Sequence, residues 1–138
     1  MRNRGFSTTD LLIAVTVLAL MAVLAVPRYV SLNTEIRVSA VRSLASNVDG
    51  SARLAHKVWR TTGRPDMLNI DGQEIEIQDG YPTVASIRHV IVSRTEFIYA
   101  NGQWLHKERS SDSGCAVIYV PPVNGHSGLQ VIAHTIGC

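Results

Sequence analysis

A long apolar segment near the amino terminus of the chain is interrupted by one polar residue. Residues 11–26 are apolar except for Thr16, and a carboxylate, Asp10, stands directly in front of them. As an α-helix the segment would be roughly 24 Å long, slightly less than the ~30 Å hydrocarbon core of a bilayer. Arginines precede it, which favours a cytoplasmic amino terminus. Residues 24–27 form a poor signal-peptidase site, so an anchor that is uncleaved or cut elsewhere is favoured.

The next segment, residues 28–60, has the period of an amphipathic helix. Its apolar positions recur at alternating steps of three and four and therefore share one face. Its charged positions cluster about 100° away, where they are either solvated or in contact with neighbouring chains. Glycine and proline in residues 61–65 should end the helix. The apolar positions are Val38, Val41, Ala45, Val48, Ala52, Ala55 and Trp59, and the charged ones are Arg42, Asp49, Arg53, Lys57 and Arg60.

Short strands and tight turns are predicted after this helix. The Asp-Gly pair at 71–72 and the Asn-Gly pair at 101–102 each separate two candidate strands, which is a strong signal for a two-residue hairpin. Residues 79–82, Asp-Gly-Tyr-Pro, predict a further turn. An α+β fold follows, with the long amino-terminal helix packed on a small antiparallel sheet. The expected strands are residues 67–70, 73–77, 95–100, 103–107, 115–120 (buried on both faces) and 129–136, with a short helix within 83–92.

Length, charge and cysteine content limit the classes of protein that fit. The chain has 138 residues, enough for one domain, and its net charge of +2 gives no reason to predict a nucleic-acid partner. Cys115 and Cys138 are an even pair near the end of a membrane-targeted chain, which favours one disulfide formed outside the cytoplasm. That disulfide would close a loop of about two dozen residues and stabilise the fold by roughly 3 kcal/mol.

Residue types that carry catalysis or bind metals do not form a motif in this sequence. No two of the five histidines have a close metal-ligand spacing, and there is no Cys-x-x-Cys. Residues 125–128, Gly-His-Ser-Gly, lack the residue that a nucleophile elbow has between its serine and its second glycine. The sequence predicts no enzyme, no metal site and no cofactor.

The amino-terminal residues resemble those of the type IV pilin family. A short basic leader ends in Gly5, Phe6 follows, Asp10 is the fifth residue counted from Phe6, and Pro27 is the twenty-second. These coincidences are independent, so together they are specific. Later motifs in the chain resemble the mannose-sensitive haemagglutinin (MSHA) branch of pilins: residues 69–72 (Asn-Ile-Asp-Gly), residues 79–82, Cys115 and the terminal Gly137-Cys138.

The resemblance implies a role for each residue at the amino-terminal end. A prepilin peptidase would cut between Gly5 and Phe6 and methylate the new amine of Phe6. The helix would hold the subunit in the lipid of the bacterial inner membrane until the pilus assembly machinery adds it to an extracellular filament of other pilin subunits. Asp10 would face the amino terminus of a neighbouring subunit, because a carboxylate buried among apolar helices is tolerated only when it is paired. Pro27 would kink the helix where it leaves the bilayer.

Three regions are expected from the resemblance: a leader at residues 1–5, the transmembrane and assembly half of the helix at 6–30, and a periplasmic or extracellular globular domain at 31–138. The expected function is a structural subunit, either a major or a minor pilin, of a filament used for attachment or motility. A type II secretion pseudopilin and a membrane-anchored binding or enzymatic domain are the alternatives. The family usually has Thr-Leu-Ile-Glu at residues 7–10, where this chain has Ser-Thr-Thr-Asp, and the shorter acid reaches less far.

Overall fold

The computed structural model describes residues 7–92, 95–109, 114–124 and 127–138, without the side chains of residues 26–31 and 109. The protein is α+β, as the sequence predicted, and its sheets are antiparallel. Its contacts divide the chain into two compact units, Met1–Ile36 and Arg37–Cys138. The first helix contributes residues to both units.

The helix α1 (Thr8–Thr61) comprises 54 residues. It ends where Gly63 adopts a φ of +90°, a left-handed conformation that glycine takes without steric penalty. The N–H of Arg64 then donates to the carbonyl oxygen of Trp59 (3.0 Å), which satisfies a carbonyl in the last turn. The predicted helix end within residues 61–65 is therefore confirmed.

In the second unit, α1 buries one apolar stripe, as its period predicts. Leu44, which the predicted stripe omitted, is only 1% exposed. It belongs there because it lies three residues after Val41 and four before Val48, on the same side of the helix. Val38, Ala45 and Trp59 are half-buried, so the stripe is centred slightly to one side of the prediction. The buried residues are Val41, Leu44, Val48, Ala52 and Ala55.

Within the described residues, the elements that follow α1 are seven short strands, a four-residue helix and a 3₁₀ turn: β1 (Met67–Ile70), β2 (Gln73–Gln78), β3 (Tyr81–Pro82), α2 (Ile87–Val90), β4 (Phe97–Ala100), β5 (Gln103–His106), the 3₁₀ turn Lys107–Arg109, β6 (Ala116–Val120) and β7 (Gln130–His134). The strands form two sheets, with orders β1-β2-β3 and β4-β5-β6-β7, where the sequence predicted one. The helix α2 lies along the chain between the last strand of the first sheet and the first strand of the second.

Three two-residue turns reverse the chain between neighbouring strands. In the pairs at 71–72, 79–80 and 101–102, both residues have positive φ values, between 46° and 83°. These are the conformations that a tight hairpin requires and that aspartate, asparagine and glycine adopt most easily. The predicted hairpins at 71–72 and 101–102 are confirmed. The third turn is shorter than predicted, since Tyr81 and Pro82 already belong to β3.

The core lies between α1 and the sheets. Leu68, Ile75 and Ile77 of the first sheet form a small cluster, and Trp59 of α1 packs against it. Ala116 and Val117 of β6 are both fully buried, although burial fades towards the end of that strand. The last strand, β7, is shorter than the predicted 129–136, and it is half-buried or exposed along its length, since it pairs on one side only. The main cluster comprises Val41, Leu44, Val48, Ala52, Ile87, Ile91, Phe97, Trp104, Cys115, Val117, Tyr119 and Cys138.

Two tyrosine hydroxyls connect the second sheet to β3 and to the segment that follows it. The hydroxyl of Tyr119 donates to the carbonyl oxygen of Pro82 (2.8 Å). The hydroxyl of Tyr99 donates to the carbonyl oxygen of Val84 and accepts from the N–H of Gly102 (3.1 Å). Burial raises the pKa of both phenols, because a buried phenolate would lose its hydration.

Candidate functional site

Residues 11–24 of α1 expose apolar side chains all around the helix. The large ones are between 45% and 75% exposed, and successive residues point 100° apart on an α-helix. The stretch Thr8–Ala25 has a mean hydropathy of 2.2 and is long and apolar enough to cross a membrane. Such a surface is stable only against lipid or against other apolar surfaces. The exposed side chains are Leu11, Leu12, Ile13, Val15, Val17, Leu18, Leu20, Met21, Val23 and Leu24.

Asp10 lies in the first turn of α1, at the edge of this apolar surface. Its Oδ2 accepts a hydrogen bond from the backbone N–H of Ser7 (3.3 Å), so the carboxylate caps the helix. The positive end of the helix dipole favours a negative charge at the same place. The resemblance to pilins predicts for Asp10 only a contact with another subunit. Its Ser-x-x-Asp spacing is close to a capping-box pattern, which could have indicated this local contact.

The hydroxyl of Thr16 needs no hydrogen-bond partner outside the helix. It lies 2.8 Å from the carbonyl oxygen of Ile13 and 3.0 Å from that of Leu12, so it is satisfied inside the helix. A surface that covers residues 11–24 therefore needs no polar partner for Thr16.

Three predicted site residues fall wholly or partly outside the described structure. Gly5 and Phe6, the predicted cleavage and methylation positions, lie outside the described residues. At Pro27 the backbone of α1 is helical, but the side chain lies outside the described part. Processing at Gly5 and a kink at Pro27 stay predictions.

Cys115 and Cys138 form a disulfide at the carboxyl end of the chain. Their Cα atoms are 4.7 Å apart, their sequence separation is 23, and both residues are buried. The glycines that precede them are also in contact: the N–H of Gly137 donates to the carbonyl oxygen of Gly114 (2.9 Å). A Cβ atom on either glycine would lie 2.9 Å from the other's Cα. Only glycine therefore lets the two backbones come this close.

A second surface lies along the side of α1 in the second unit, Arg37–Cys138, which we call the globular unit. We call Arg53, Lys57 and Arg60 the basic flank; all three side chains are exposed. Lys57 and Arg60 line an open cavity of about 460 Å³ together with His56 and Thr61. Cations in the last turns of a helix also interact favourably with its dipole, so a purely local role is compatible with this arrangement.

His56 connects α1 to the turn between β2 and β3. Its Nδ1 lies 2.7 Å from the carbonyl oxygen of Gly80, and because a carbonyl only accepts, Nδ1 carries the hydrogen. The imidazole stacks on the ring of Tyr81, with centroids 4.4 Å apart. Gly80 has a φ of +83°, and a Cβ there would lie 2.8 Å from the side chains of His56 and Trp59. No motif in the sequence indicated this contact, which depends on residues 24 positions apart.

Two buried nitrogen atoms have no hydrogen-bond partner among the described residues: Nδ1 of His106 and Nε of Arg37. His106 packs edge-on against the ring of Phe97, with centroids 5.4 Å apart. Arg37 is held by an ion pair from its Nη1 to Oε2 of Glu108 (3.1 Å). The described part of the chain contains no group of three or more histidine, cysteine, aspartate or glutamate side chains that could hold a metal ion.

The described residues thus present a helix with an exposed apolar surface, a single carboxylate in its first turn, and an α+β unit whose carboxyl end is closed by a disulfide. An apolar surface of this kind is stable only when lipid or another apolar surface covers it. Comparisons of the chain with models of protein families, with curated proteins and with solved structures gave no match.

Proposed function

We propose that the chain is a prepilin whose mature form is a structural subunit of a type IV pilus, most like the MSHA type. It polymerises through the amino-terminal half of α1, and the filament serves attachment or motility. The observation that carries the proposal is the apolar surface of residues 11–24, exposed on every side behind the carboxylate of Asp10. An ordinary globular protein covers such side chains with its own chain.

Two environments would cover this surface at successive stages. Lipid of the inner membrane surrounds the helix before assembly, when the globular unit lies outside the cytoplasm and the disulfide forms. In the filament, the same residues of other subunits replace the lipid. Since lipid and helix surfaces are equally apolar, the exchange itself needs little free energy.

Asp10 fixes the axial register between neighbouring subunits in the filament. A carboxylate that moves into an apolar bundle loses its hydration, and an amine from a neighbouring subunit offsets that loss only at the correct axial offset. The bond from Ser7 N–H, at 3.3 Å, neutralises none of the charge. The helix cap holds the carboxylate in place, and the amine of a cleaved, methylated Phe6 supplies the opposite charge.

Processing can be tested by mass spectrometry of the chain purified from a bacterium that has a prepilin peptidase. The expected mature protein begins at a methylated Phe6. A chain that retains Met1 would contradict both the pilin and the pseudopilin assignment and would favour a membrane-anchored domain. Recovery of the mature chain from filaments sheared off the cell surface separates a pilus from a type II secretion pseudopilus.

The pairing of Asp10 can be separated from its capping by two variants. Asp10→Asn keeps an oxygen that can accept from Ser7 N–H but removes the charge, whereas Asp10→Glu keeps the charge. We expect both variants to be processed, and only Asp10→Glu to be incorporated into sheared filaments at a level near that of the wild type. Normal incorporation of Asp10→Asn would show that capping, and not charge pairing, is what assembly requires.

A further inference from the structure

Charge is segregated along the globular part of the chain. Residues 52–64, which end α1, contain four cations and no acid. Residues 65–87, which include the first sheet, contain five acids and neither lysine nor arginine. Blocks of one sign this close in sequence usually mark surfaces that meet a partner or solvent. The cations are Arg53, Lys57, Arg60 and Arg64, and the acids are Asp66, Asp71, Glu74, Glu76 and Asp79.

The cations of the basic flank point away from the core. Ala52 and Ala55 are buried under the sheets, while Lys57 and Arg60 are exposed on the side of the helix. Arg53 is already used within the helix, since its Nε lies 2.8 Å from Oδ2 of Asp49. Lys57 and Arg60 are therefore the charges that the flank offers to a partner.

The acids of the first sheet also point away from the core. Side chains alternate along β2, so that Ile75 and Ile77 face the small cluster while Glu74 and Glu76 face outward. We call Asp71, Glu74 and Glu76 the acidic hairpin. Glu76 accepts a hydrogen bond from the hydroxyl of Thr83 (3.2 Å), which leaves its charge uncompensated.

These two surfaces do not neutralise each other inside one chain. Among the described residues the ion pairs are Arg37–Glu108 and Arg53–Asp49, and neither joins the basic flank to the acidic hairpin. Lys57, Arg60 and Glu74 form no ion pair with any residue that the structure describes. Among the described residues of one unit, the cations Lys57 and Arg60 and the carboxylate of Glu74 therefore stay without an ion-pair partner.

We infer that the basic flank of one copy docks on the acidic hairpin of the next copy. The same chain supplies both charges, so a second copy is the partner that fits both surfaces at once. In the filament that the proposed function assigns, this contact is head-to-tail and repeats from copy to copy. The inference deepens the proposed function and rests on it for the filament. It adds a lateral contact between globular units to the one made by the helices.

Such a contact would affect the relative orientation of two copies and the rate at which they associate more than the affinity between them. Charges at the edge of an interface steer partners together and disfavour wrong alignments, and salt screens them over about 8–10 Å. Self-association of the chain should therefore weaken as ionic strength rises.

The chain permits a direct test, because Lys57 and Lys107 are its only lysines. Full-length chains, unlabelled and ¹⁵N-labelled, are mixed in detergent and treated with a carbodiimide, which joins a lysine amine to a carboxylate that touches it. The expected products are mixed-isotope peptides that link Lys57 to Glu74 or Glu76 and that disappear at high ionic strength. Lys107 is exposed and lies outside the basic flank, so it is the internal control. Mixed links from Lys107 as abundant as those from Lys57, or links from Lys57 within one isotope only, would overturn the inference.

Charge exchange provides the second arm. The variants Lys57→Glu/Arg60→Glu and Glu74→Lys/Glu76→Lys should each lower the association constant about fivefold, because like charges then face each other. An equimolar mixture of the two variants should restore association, since each then offers the other complementary patches. Lys107→Glu should leave association unchanged. The unfolding midpoints of these variants, all at exposed residues, verify that they fold.

The outcomes also separate this inference from the proposed function. If wild-type filaments form but the mixture restores nothing, the docking is wrong and the pilin assignment stands. If the mature chain keeps its leader and yet the Lys57–Glu74 link forms between copies, the docking stands and the pilin assignment is wrong. Loss of binding to anionic vesicles in Lys57→Glu/Arg60→Glu, with self-association unchanged, would assign the flank to a membrane surface and overturn the inference.

Discussion

Two stretches of the same helix differ in what covers their apolar side chains. In residues 41–55 the apolar side chains form one stripe, and the rest of the chain buries it to 1% exposure or less at five positions. In residues 11–24 apolar side chains point in every direction, and those that are large are at least 45% exposed. A stripe has one direction and can be matched by one sheet, whereas a uniformly apolar helix needs a uniformly apolar environment. The comparison shows why one helix can serve both a globular fold and contacts outside it.

The largest expected effect comes from truncating one leucine in each stretch. Leu44→Ala should lower the free energy of unfolding by about 3 kcal/mol, because it opens a cavity in the main core. Leu18→Ala should change it by less than about 0.5 kcal/mol. Denaturant unfolding of the full chain in detergent measures both values, and Trp59 and Trp104 report on the globular unit. Equal losses would contradict the distinction between the two stretches.

Removal of the disulfide should destabilise the globular unit, which includes the buried stripe of residues 41–55, and leave residues 11–24 unchanged. Cys115→Ser/Cys138→Ser should lower the free energy of unfolding by about 3 kcal/mol, since the unfolded chain regains the freedom of a loop with a sequence separation of 23. The amide protons of residues 11–24 should exchange in detergent as they do in the wild type. The reduced wild-type protein is the matched control. A double variant with an unchanged unfolding midpoint would show that the core holds the carboxyl end without the covalent link.

The contact of His56 with the turn at 79–80 tests how the end of α1 is held. Gly80→Ala should lower the free energy of unfolding by about 2 kcal/mol, because the new Cβ meets the His56 side chain at 2.8 Å and the φ of +83° is unfavourable for alanine. Gly72→Ala has a similar φ of +80° and no atom within 4 Å, so it should lower it by about 1 kcal/mol. The difference between the two measures the contact. Equal losses would show that the His56 side chain moves away from the new Cβ at no cost in free energy.

The smallest effect concerns Tyr119 and its pH dependence. Burial raises the pKa of its phenol above the ordinary value of 10.0, so the folded state holds this proton more tightly than the unfolded state. The resulting stability is fully present below pH 10 and is lost as the pH rises above it. Tyr119→Phe should lower the free energy of unfolding by about 1 kcal/mol at neutral pH, because the Pro82 carbonyl loses its donor.

The decline in stability above pH 10 distinguishes the effect of the Tyr119 proton from a simple loss of packing. Tyr119→Phe should show a shallower decline in stability above pH 10 than the wild type, with the part due to Tyr99 remaining. Stability measured by denaturant unfolding between neutral pH and pH 11 provides the test. Parallel profiles for the two proteins would show that the Tyr119 proton is not linked to folding.

Local features of the fold were predictable, while pairings over long distances were not. The turns at 71–72 and 101–102 and the end of α1 depend on backbone preferences of adjacent residues, so a short stretch of sequence is sufficient. The division of the strands into two sheets depends on which strands pair, and no local pattern of residues decides that. The sequence predicted a short helix within residues 83–92, which α2 confirms, but one sheet instead of two.

The candidate site was predictable to a similar degree. The apolar helix and Asp10 are visible in the sequence because they form an unbroken local pattern. The contact between His56 and Gly80 joins residues 24 positions apart, and no periodic pattern links them. The acidic hairpin is visible as a run of acids in the sequence, but its outward direction follows from the alternation along β2.

The sequence by itself determined the limits of the helical pattern, the two-residue turns and the pairing of the two cysteines, because backbone preferences act over a few residues and two cysteines allow one pair. Only the tertiary structure decided that His56 contacts the turn at 79–80 and that Lys57 and Glu74 have no ion-pair partner among the described residues. These outcomes depend on which surfaces meet when segments distant in sequence pack against one another.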